Sequence, residues 1–150
     1  MRRRALLMQH TGPKVNLWNW QTLGGVRSAP GFNISSLAYS EDYSVFSITN
    51  SSGASSARVQ SSRGYELQLS LLQLVSGKRY RMIISGAANR RDNDIRIYST
   101  DSTLKKYYTF NGDYQIDFAY EEGDTMLYTF YSEDYSIGSI FTLEIKLYEI

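Results

Sequence analysis

Apolar and polar residues alternate one by one through most of the second half of the chain, and this period of two limits the fold more than any other feature. It recurs in the segments 80–85, 94–99 and 114–120. Successive side chains of a strand point to opposite faces, so the pattern is typical of antiparallel strands with one face on a core and the other in water. The clearest case lies near the C-terminus, where every second residue is apolar: Phe141, Leu143, Ile145 and Leu147.

Turn signals such as Ser76-Gly77, Asn111-Gly112-Asp113 and Glu122-Gly123-Asp124 interrupt these runs at short intervals. Many short strands at such spacing favour a β-sandwich or a barrel, and 150 residues suit one domain. We predict a docking arm at 1–13 and an all-β domain at 14–150. The predicted strands lie near residues 14–20, 44–49, 57–61, 65–75, 79–88, 94–99, 105–110, 114–120, 125–131 and 139–149.

The alternation also predicts which side chains form the core. These residues share the apolar face of their strands. The predicted core comprises Phe46, Ile48, Leu67, Leu69, Leu71, Tyr80, Met82, Ile84, Ile95, Ile97, Ile116, Phe118, Phe130, Phe141, Leu143 and Ile145.

Residues 1–13 differ from the rest of the chain. Three arginines are followed by an apolar run from Ala5 to Met8 and by Thr11-Gly12-Pro13. That run is shorter than the roughly 7–15 apolar residues of a signal peptide, and no segment approaches the ~20 apolar residues of a membrane span. We interpret the segment as an extended or one-turn-helical arm for assembly. Its predicted contact residues are Arg2, Arg3, Arg4, Leu6, Leu7 and Met8.

The residues that could carry catalysis argue against an enzyme. The chain has no cysteine, and its one histidine, His10, lies in the arm, away from any nucleophile on the folded domain. Two acidic pairs, Glu41-Asp42 and Glu133-Asp134, lie in the repeated sequence Tyr-Ser-Glu-Asp-Tyr-Ser. Glycosidases place two carboxyls across a cleft, whereas adjacent acids in a polar turn are typical of solvated turns. We predict no catalytic residue and no cofactor.

Metal ions and nucleic acid fit the sequence poorly. Asp92 and Asp94 could offer oxygen ligands to calcium, but the segment lacks the glycine and the terminal glutamate of an EF-hand loop. A polar hairpin loop is the favoured alternative. The formal net charge of +1 gives no global field to attract nucleic acid. We therefore predict no bound metal and no nucleic-acid partner.

Aromatic rings are the remaining candidates for a binding surface, since the chain has 13 tyrosines and two tryptophans. Trp18 and Trp20 are two residues apart and would share one face of a strand. Exposed together, they would stack against the apolar faces of a sugar; the alternative is that at least one of them lies in the core. The candidate glycan-binding set comprises Trp18, Trp20, Tyr43, Asn89, Arg91, Tyr98, Tyr108, Gln115 and Tyr135.

One segment resembles the central strand of jelly-roll carbohydrate-binding modules: Leu74-Val75-Ser76-Gly77-Lys78-Arg79-Tyr80-Arg81-Met82-Ile83-Ile84-Ser85-Gly86-Ala87. The strands that follow, through Phe118-Ala119-Tyr120 and its acidic turn, occur in the order of that family, so the resemblance covers about residues 65–148. It implies an antiparallel β-sandwich of the jelly-roll type that binds carbohydrate. The binding aromatics of the family vary in position, so the resemblance assigns no site residue.

The opening Arg2-Arg3-Arg4-Ala5-Leu6-Leu7-Met8 resembles that of small structural proteins encoded by phages and prophages of Gram-positive gut bacteria. In those proteins a basic and apolar arm precedes a β-rich, adhesin-like domain. The resemblance implies that the arm docks on a larger assembly.

Together the two resemblances predict a non-enzymatic bacteriophage virion protein, structural or adhesive, in the tail or associated with the capsid. Its predicted partners are other virion proteins, copies of itself in a homo-oligomer, and a host-surface glycan facing the sandwich. One alternative is a stand-alone carbohydrate-binding module, outside the cell or at its surface. The other is a small glycan hydrolase.

Overall fold

The computed structural model describes residues 14–28, 34–50, 58–89, 93–134 and 136–150. These ranges contain ten strands, a 3-10 helix at Leu69–Leu72, and no helix that is long and apolar enough to cross a membrane. The strands are β1 (Ile34–Tyr39), β2 (Val45–Asn50), β3 (Arg58–Gln60), β4 (Leu67–Gln68), β5 (Arg79–Ser85), β6 (Asn93–Tyr98), β7 (Leu104–Phe110), β8 (Tyr114–Ala119), β9 (Thr125–Tyr131) and β10 (Ile140–Glu149).

The strands form two antiparallel sheets. Sheet one has the order β1-β2-β10-β5-β8, and sheet two has the order β3-β9-β6-β7 with β4 also paired to β9. The chain passes from one sheet to the other between β2 and β3, β4 and β5, β5 and β6, and then at every step from β7 to β10. The strand orders β2-β10-β5-β8 and β3-β9-β6-β7 are those of a jelly roll. The fold is therefore the predicted all-β sandwich of jelly-roll type.

One core fills the space between the two sheets, and the alternation of the sequence produces it. In β10, for example, Phe141, Leu143, Ile145 and Leu147 are all buried. The predicted core is confirmed at every position except Leu71, which is 51% exposed. Leu71 lies in the 3-10 helix, where three residues make a turn, so Leu69 and Leu72 share the inward side instead.

Two predicted strands and one unpredicted strand depart from the sequence pattern. Residues 14–20 form no strand, and of the predicted strand at 65–75 only Leu67–Gln68 is one. The pattern does not predict β1, whose sequence lacks alternation. Its pairing with β2 shifts register between Ser35 and Ala38, and Ser36 has a φ of 52°. This bulge breaks the period of two on an edge strand.

Gly86 follows β5 at a place where two backbones approach closely. Its φ is +106°, and a Cβ atom there would lie 2.3 Å from the backbone oxygen of Thr142 in β10. No other residue type fits without moving the backbone. This close contact between the backbones of Gly86 and Thr142 fixes the end of β5 beside β10, where Glu144 pairs with Ser85.

Candidate functional site

Trp18 and Trp20 lie in the core and not at the surface. They are 1% and 0% exposed, and their rings meet edge to face with centroids 5.1 Å apart. Trp20 also contacts Phe46 of sheet one and Tyr128 of sheet two, at 5.3 and 5.6 Å between centroids. The prediction of an exposed tryptophan platform is wrong, because residues 14–20 bring both rings between the sheets.

Two more of the predicted aromatic residues are half-buried and already packed. Tyr43 lies in the turn between β1 and β2 with a φ of 58°, its ring centroid 5.6 Å from that of Tyr39. Tyr108 packs against the core, and its hydroxyl donates a hydrogen bond to the backbone oxygen of Asp117 at 3.1 Å.

Of the remaining predicted residues, the three that the structure describes lie apart from one another. Gln115 is exposed on the outer face of sheet one, Tyr98 lies on the outer face of sheet two, and Asn89 is in the loop after β5. The backbone nitrogen of Asn89 donates to Glu133 Oε1 at 2.6 Å, so that carboxylate holds a loop. Arg91, Asp92, Tyr135 and residues 1–13 with the arm contacts lie outside the described residues.

The carboxylates of the two repeated segments stabilise turns. Asp42 Oδ1 accepts hydrogen bonds from the backbone nitrogen and the hydroxyl of Ser44, at 3.0 and 2.7 Å. Asp134 Oδ1 accepts the equivalent pair from Ser136. The hydrogen bond from the Ser44 hydroxyl, with others from Ser44 and Ser40, lowers the pKa of Asp42 below its usual range. Both aspartates thus close Asx-type turns.

The calcium candidate Asp94 faces a cation. Its Oδ2 lies 3.9 Å from Arg96 Nη2, and burial raises the pKa of its carboxyl despite that neighbour. Within the described ranges, no group of three or more His, Cys, Asp or Glu side chains is placed to hold a metal ion. Asp94 therefore lies in an unsuitable environment for calcium.

A hollow of about 570 Å³ opens on the outer face of sheet one. We call it the sheet-one hollow. Its volume falls within the roughly 300–1,000 Å³ of small-ligand sites. It is lined by Lys14, Asn16, Asp42, Ser44, Arg81, Ile83, Glu144, Lys146 and Tyr148.

Strand pairing places two residues that line this hollow, Tyr148 and Arg81, beside the carboxylate of Asp117 on the neighbouring strand. Tyr148 is opposite Arg81, and Arg81 is opposite Asp117. Two hydrogen bonds join the last two: Arg81 Nε to Asp117 Oδ1 at 2.9 Å, and Arg81 Nη2 to Asp117 Oδ2 at 3.0 Å. The hydrogen bond from Arg81 lowers the pKa of Asp117 and raises that of Arg81. The planar pair is rigid and remains partly exposed.

Tyr148 lines the hollow and is half-buried. The ammonium of Lys14 lies 5.0 Å from its ring centroid. Two residues before Tyr148 on β10, Lys146 pairs with Ile83 of β5. Ile83 in turn pairs with the exposed Gln115 of β8. Among the predicted site residues that the structure describes, Gln115 is therefore the one that pairs into the outer face bearing the hollow.

The charges on sheet one are balanced. Its strands carry three basic and three acidic residues, so they create no net attraction for an ion. These residues are Arg79, Arg81, Lys146, Asp117, Glu144 and Glu149. Sequence reasoning missed Arg81, Glu144 and Tyr148 as a group, because Arg81 lies on β5 while Glu144 and Tyr148 lie on β10, and only the register of these two strands brings them to one hollow.

Comparisons with known proteins concern the fold. No protein-family model matches the chain, and no curated protein matches it. The CBM22-1 xylan-binding domain of Xyn10C from Paenibacillus barcinonensis is 10% identical, with a TM-score of 0.46 over 93% of this chain and 97% of that one. The carbohydrate-binding module CBM6cm-2 from Cellvibrio mixtus lichenase 5A, solved with cellotriose, is 6% identical, with a TM-score of 0.41 over 91% and 99%.

Proposed function

We propose that this domain is a non-catalytic glycan-binding domain that holds a neutral stretch of sugar chain in the sheet-one hollow. The observation that carries the proposal is the row formed by Tyr148, Arg81 and Asp117, in which Tyr148 and Arg81 line the hollow and Asp117 holds Arg81 beside it. A sugar ring has apolar faces and a rim of hydroxyl groups. It therefore needs an aromatic surface beside fixed hydrogen-bonding groups. Arg81 and Asp117 offer the fixed groups, and Tyr148 offers the aromatic surface once the exposed Lys14 side chain, which lies over its ring, is displaced.

The balanced charge supports a neutral ligand. Among the residues that line the hollow, Lys14, Arg81 and Lys146 can donate hydrogen bonds, while the carboxylates of Asp42 and Glu144 can accept them. Hydroxyl groups both donate and accept, so they can use both kinds of partner. A strongly charged ligand would meet repulsion from one half of these side chains.

Two carboxylates at or beside the hollow, Asp42 and Asp117, support binding without catalysis. A glycosidase needs a protonated acid with a raised pKa and a second carboxyl across the cleft. The pKa values of Asp42 and Asp117 are both lowered by hydrogen bonds, so both stay ionised. Asp94 has a raised pKa but lies on sheet two, whose strands carry no second carboxylate in the described chain.

Binding of neutral oligosaccharides such as xylohexaose and cellohexaose, measured by titration calorimetry, tests this function. Tyr148→Ala should weaken binding by about tenfold or more, since truncating a central aromatic contact costs more than ~1 kcal/mol. Arg81→Lys should also weaken it, because a lysine keeps the charge and loses the two-point pairing with Asp117. Tyr65→Ala is the matched control, since it removes a 57%-exposed ring elsewhere on the surface.

A neutral sugar that binds equally well to the Tyr148→Ala and Tyr65→Ala variants would place the site elsewhere. The absence of binding across a broad panel of neutral glycans would overturn the function itself. Hydrolysis of any bound sugar would contradict the non-catalytic part of the proposal.

The setting of the domain is a separate proposal. A virion adhesion protein anchored by residues 1–13, and a stand-alone module outside the cell, both use the same binding face. A shortened chain that begins at Lys14 distinguishes the two settings. In the virion setting, the shortened chain should melt within a few degrees of the full chain but fail to join the virion assembly. If it still assembles, the arm is not the anchor.

A further inference from the structure

Three tyrosine rings on the outer face of sheet two are each covered by an arginine. We call these six residues the arginine–tyrosine face. The pairs, with the distance from guanidinium carbon to ring centroid, are Arg63 over Tyr98 at 4.5 Å, Arg96 over Tyr107 at 4.5 Å, and Arg58 over Tyr131 at 5.7 Å.

The register of sheet two places these pairs along the strand direction. On β9, Tyr131 pairs with Arg58 and Leu127 pairs with Arg96, while Thr125 pairs with Tyr98. At about 3.4 Å per residue, Arg58 and Arg96 lie ~14 Å apart along the strands, and Tyr98 lies ~7 Å further on. The face is therefore about 20 Å long and suits an extended ligand.

Hydrogen bonds hold the guanidinium groups in place before any ligand arrives. Arg58 Nη1 donates to the hydroxyl of Tyr131 at 3.1 Å, and Arg96 Nη2 lies 3.4 Å from the hydroxyl of Tyr107. Arg63 Nη2 donates to the hydroxyl of Ser102 at 2.8 Å. Side chains fixed in this way lose less conformational freedom on binding.

The described strands of sheet two carry more basic than acidic residues: Arg58, Arg96, Lys105 and Lys106 against Asp94, with the loop carboxylates Glu66 and Asp101 near Arg63 and Ser102. Among the described strand residues of sheet two, the one carboxylate is that of Asp94, which is half-buried beside Arg96. Asp94 lies 3.9 Å from Arg96 and can offset that one cation, which leaves Arg58 and Arg63 without a carboxylate on these strands. A fourth pair, Arg27 over Tyr65 at 3.8 Å, borders the face where Ser28 bridges to Val59 in β3. The balanced strands of sheet one show no such excess.

We infer that the arginine–tyrosine face binds a stretch of acidic polysaccharide, with uronate carboxylates paired to Arg58, Arg63 and Arg96. Each planar guanidinium can offer two parallel hydrogen bonds to a carboxylate, and the tyrosine hydroxyls can bond the sugar hydroxyls between them. This site goes beyond the proposed function, since it is a second surface on the other sheet and takes a charged chain.

The covered rings favour a polysaccharide over single-stranded nucleic acid. Nucleic acid is held on such surfaces by bases that stack on bare aromatic faces. Here a guanidinium already lies over Tyr98 and Tyr107. A uronate chain needs the cations and the hydroxyls, and both stay available at the rim of each pair.

Binding of the full-length chain to polygalacturonate, compared with its fully methyl-esterified form, tests the inference. The two polymers share a backbone and differ in charge. Polygalacturonate should bind at least about tenfold more tightly, and its affinity should fall as salt is raised. Arg96→Gln and Arg63→Gln should each weaken binding by about tenfold. Arg63 is exposed in a loop, so that variant keeps the test valid if Arg96→Gln lowers stability.

Arg79→Gln is the matched control, because it removes one positive charge from the exposed start of β5 on sheet one. It should leave polygalacturonate binding unchanged, as should Tyr148→Ala, which separates this site from the sheet-one hollow. Equal loss in Arg79→Gln and Arg96→Gln, or equal binding of both polymers, would overturn the inference. Tighter binding of a thymidine oligonucleotide through the same arginines would replace it with a nucleic-acid surface.

Discussion

The side chain of Asn16 pairs with the backbone of Leu147: its Oδ1 accepts the hydrogen bond of the Leu147 nitrogen at 2.8 Å. Its Nδ2 donates to the backbone oxygen of Ile145 at 3.1 Å. This half of β10 extends beyond the start of β2 at Val45, so the amide of Asn16 satisfies backbone groups that a neighbouring strand would otherwise bind. It also ties residues 14–17 to sheet one and so sets Lys14 above Tyr148.

Replacing Asn16 with alanine should therefore destabilise the domain. The change leaves the backbone groups of Ile145 and Leu147 without these partners, at a cost of about 1–3 kcal/mol for each one that water cannot reach. Urea unfolding measures the loss. Val15→Ala is the neighbouring control, since Val15 is 76% exposed and should change stability by less than ~0.5 kcal/mol. Equal effects would mean that Asn16 does not anchor the segment.

Leu71 and Leu72 offer a second matched pair. Leu72 is 3% exposed and Leu71 is 51% exposed, because the 3-10 helix turns one inward and the other outward. Leu72→Ala should lower the free energy of unfolding by about 2–5 kcal/mol. Leu71→Ala should cost well under ~1 kcal/mol. Thermal or urea unfolding measures both losses. A larger loss for Leu71→Ala than for Leu72→Ala would support the strand that the sequence pattern predicts at these residues and contradict the 3-10 helix.

The fold could be predicted wherever one local rule decides the structure. Strands β5 and β10 alternate because one face meets the core, and their buried residues were predictable without knowing the partner strands. The rule fails in the 3-10 helix at Leu69–Leu72 and at the bulge of β1, where the backbone departs from a period of two. The alternation rule also cannot distinguish an aromatic ring that is exposed on a strand from one that is buried. Trp20 is of the second kind, because it fills the space between the sheets.

The candidate site was harder to predict because it depends on register. Arg81 and Asp117 each occupy an outward position that the alternation marks correctly. Their pairing with each other and with Tyr148 follows only from which strands are neighbours and how they are aligned. Arginines on the outer face of sheet two posed the same difficulty: composition shows balanced charge for the whole chain, while the topology separates a balanced sheet from a basic one.

Lys105 and Lys106 are adjacent yet should differ in their contribution to stability. Lys105 Nζ pairs with Asp124 Oδ2, and the side chain of Asp124 is 1% exposed. Lys105→Met would leave this carboxylate buried without its cation, which costs about 3 kcal/mol or more. Lys106 is exposed, so Lys106→Met should change stability by less than ~0.5 kcal/mol. Adding Asp124→Asn to Lys105→Met should recover part of the loss, and a double variant that is weaker still would contradict this account.

Tyr128 should make the domain lose stability in alkali. Its side chain is buried between the sheets, and its hydroxyl accepts a hydrogen bond from the backbone nitrogen of Arg27 at 3.3 Å. Burial raises the pKa of Tyr128 to about 12, against about 10 in an unfolded chain. Between these values the unfolded chain releases the phenolic proton while the folded chain keeps it. The free energy of unfolding should therefore fall as the pH rises from about 10 to about 12, by about 2–3 kcal/mol in total, and this residue should contribute no change below about pH 10.

Tyr128→Phe isolates this contribution, because the other tyrosines titrate alike in both proteins. The variant loses the hydrogen bond from Arg27, so it should be less stable near neutral pH by about 1 kcal/mol. Its stability should then fall less steeply in alkali, and the two curves should converge or cross as the pH approaches about 12. Urea unfolding of both proteins at a series of pH values from about 8 to about 12 measures the difference. Parallel curves over that range would show that the phenol of Tyr128 is not held in its neutral form by burial.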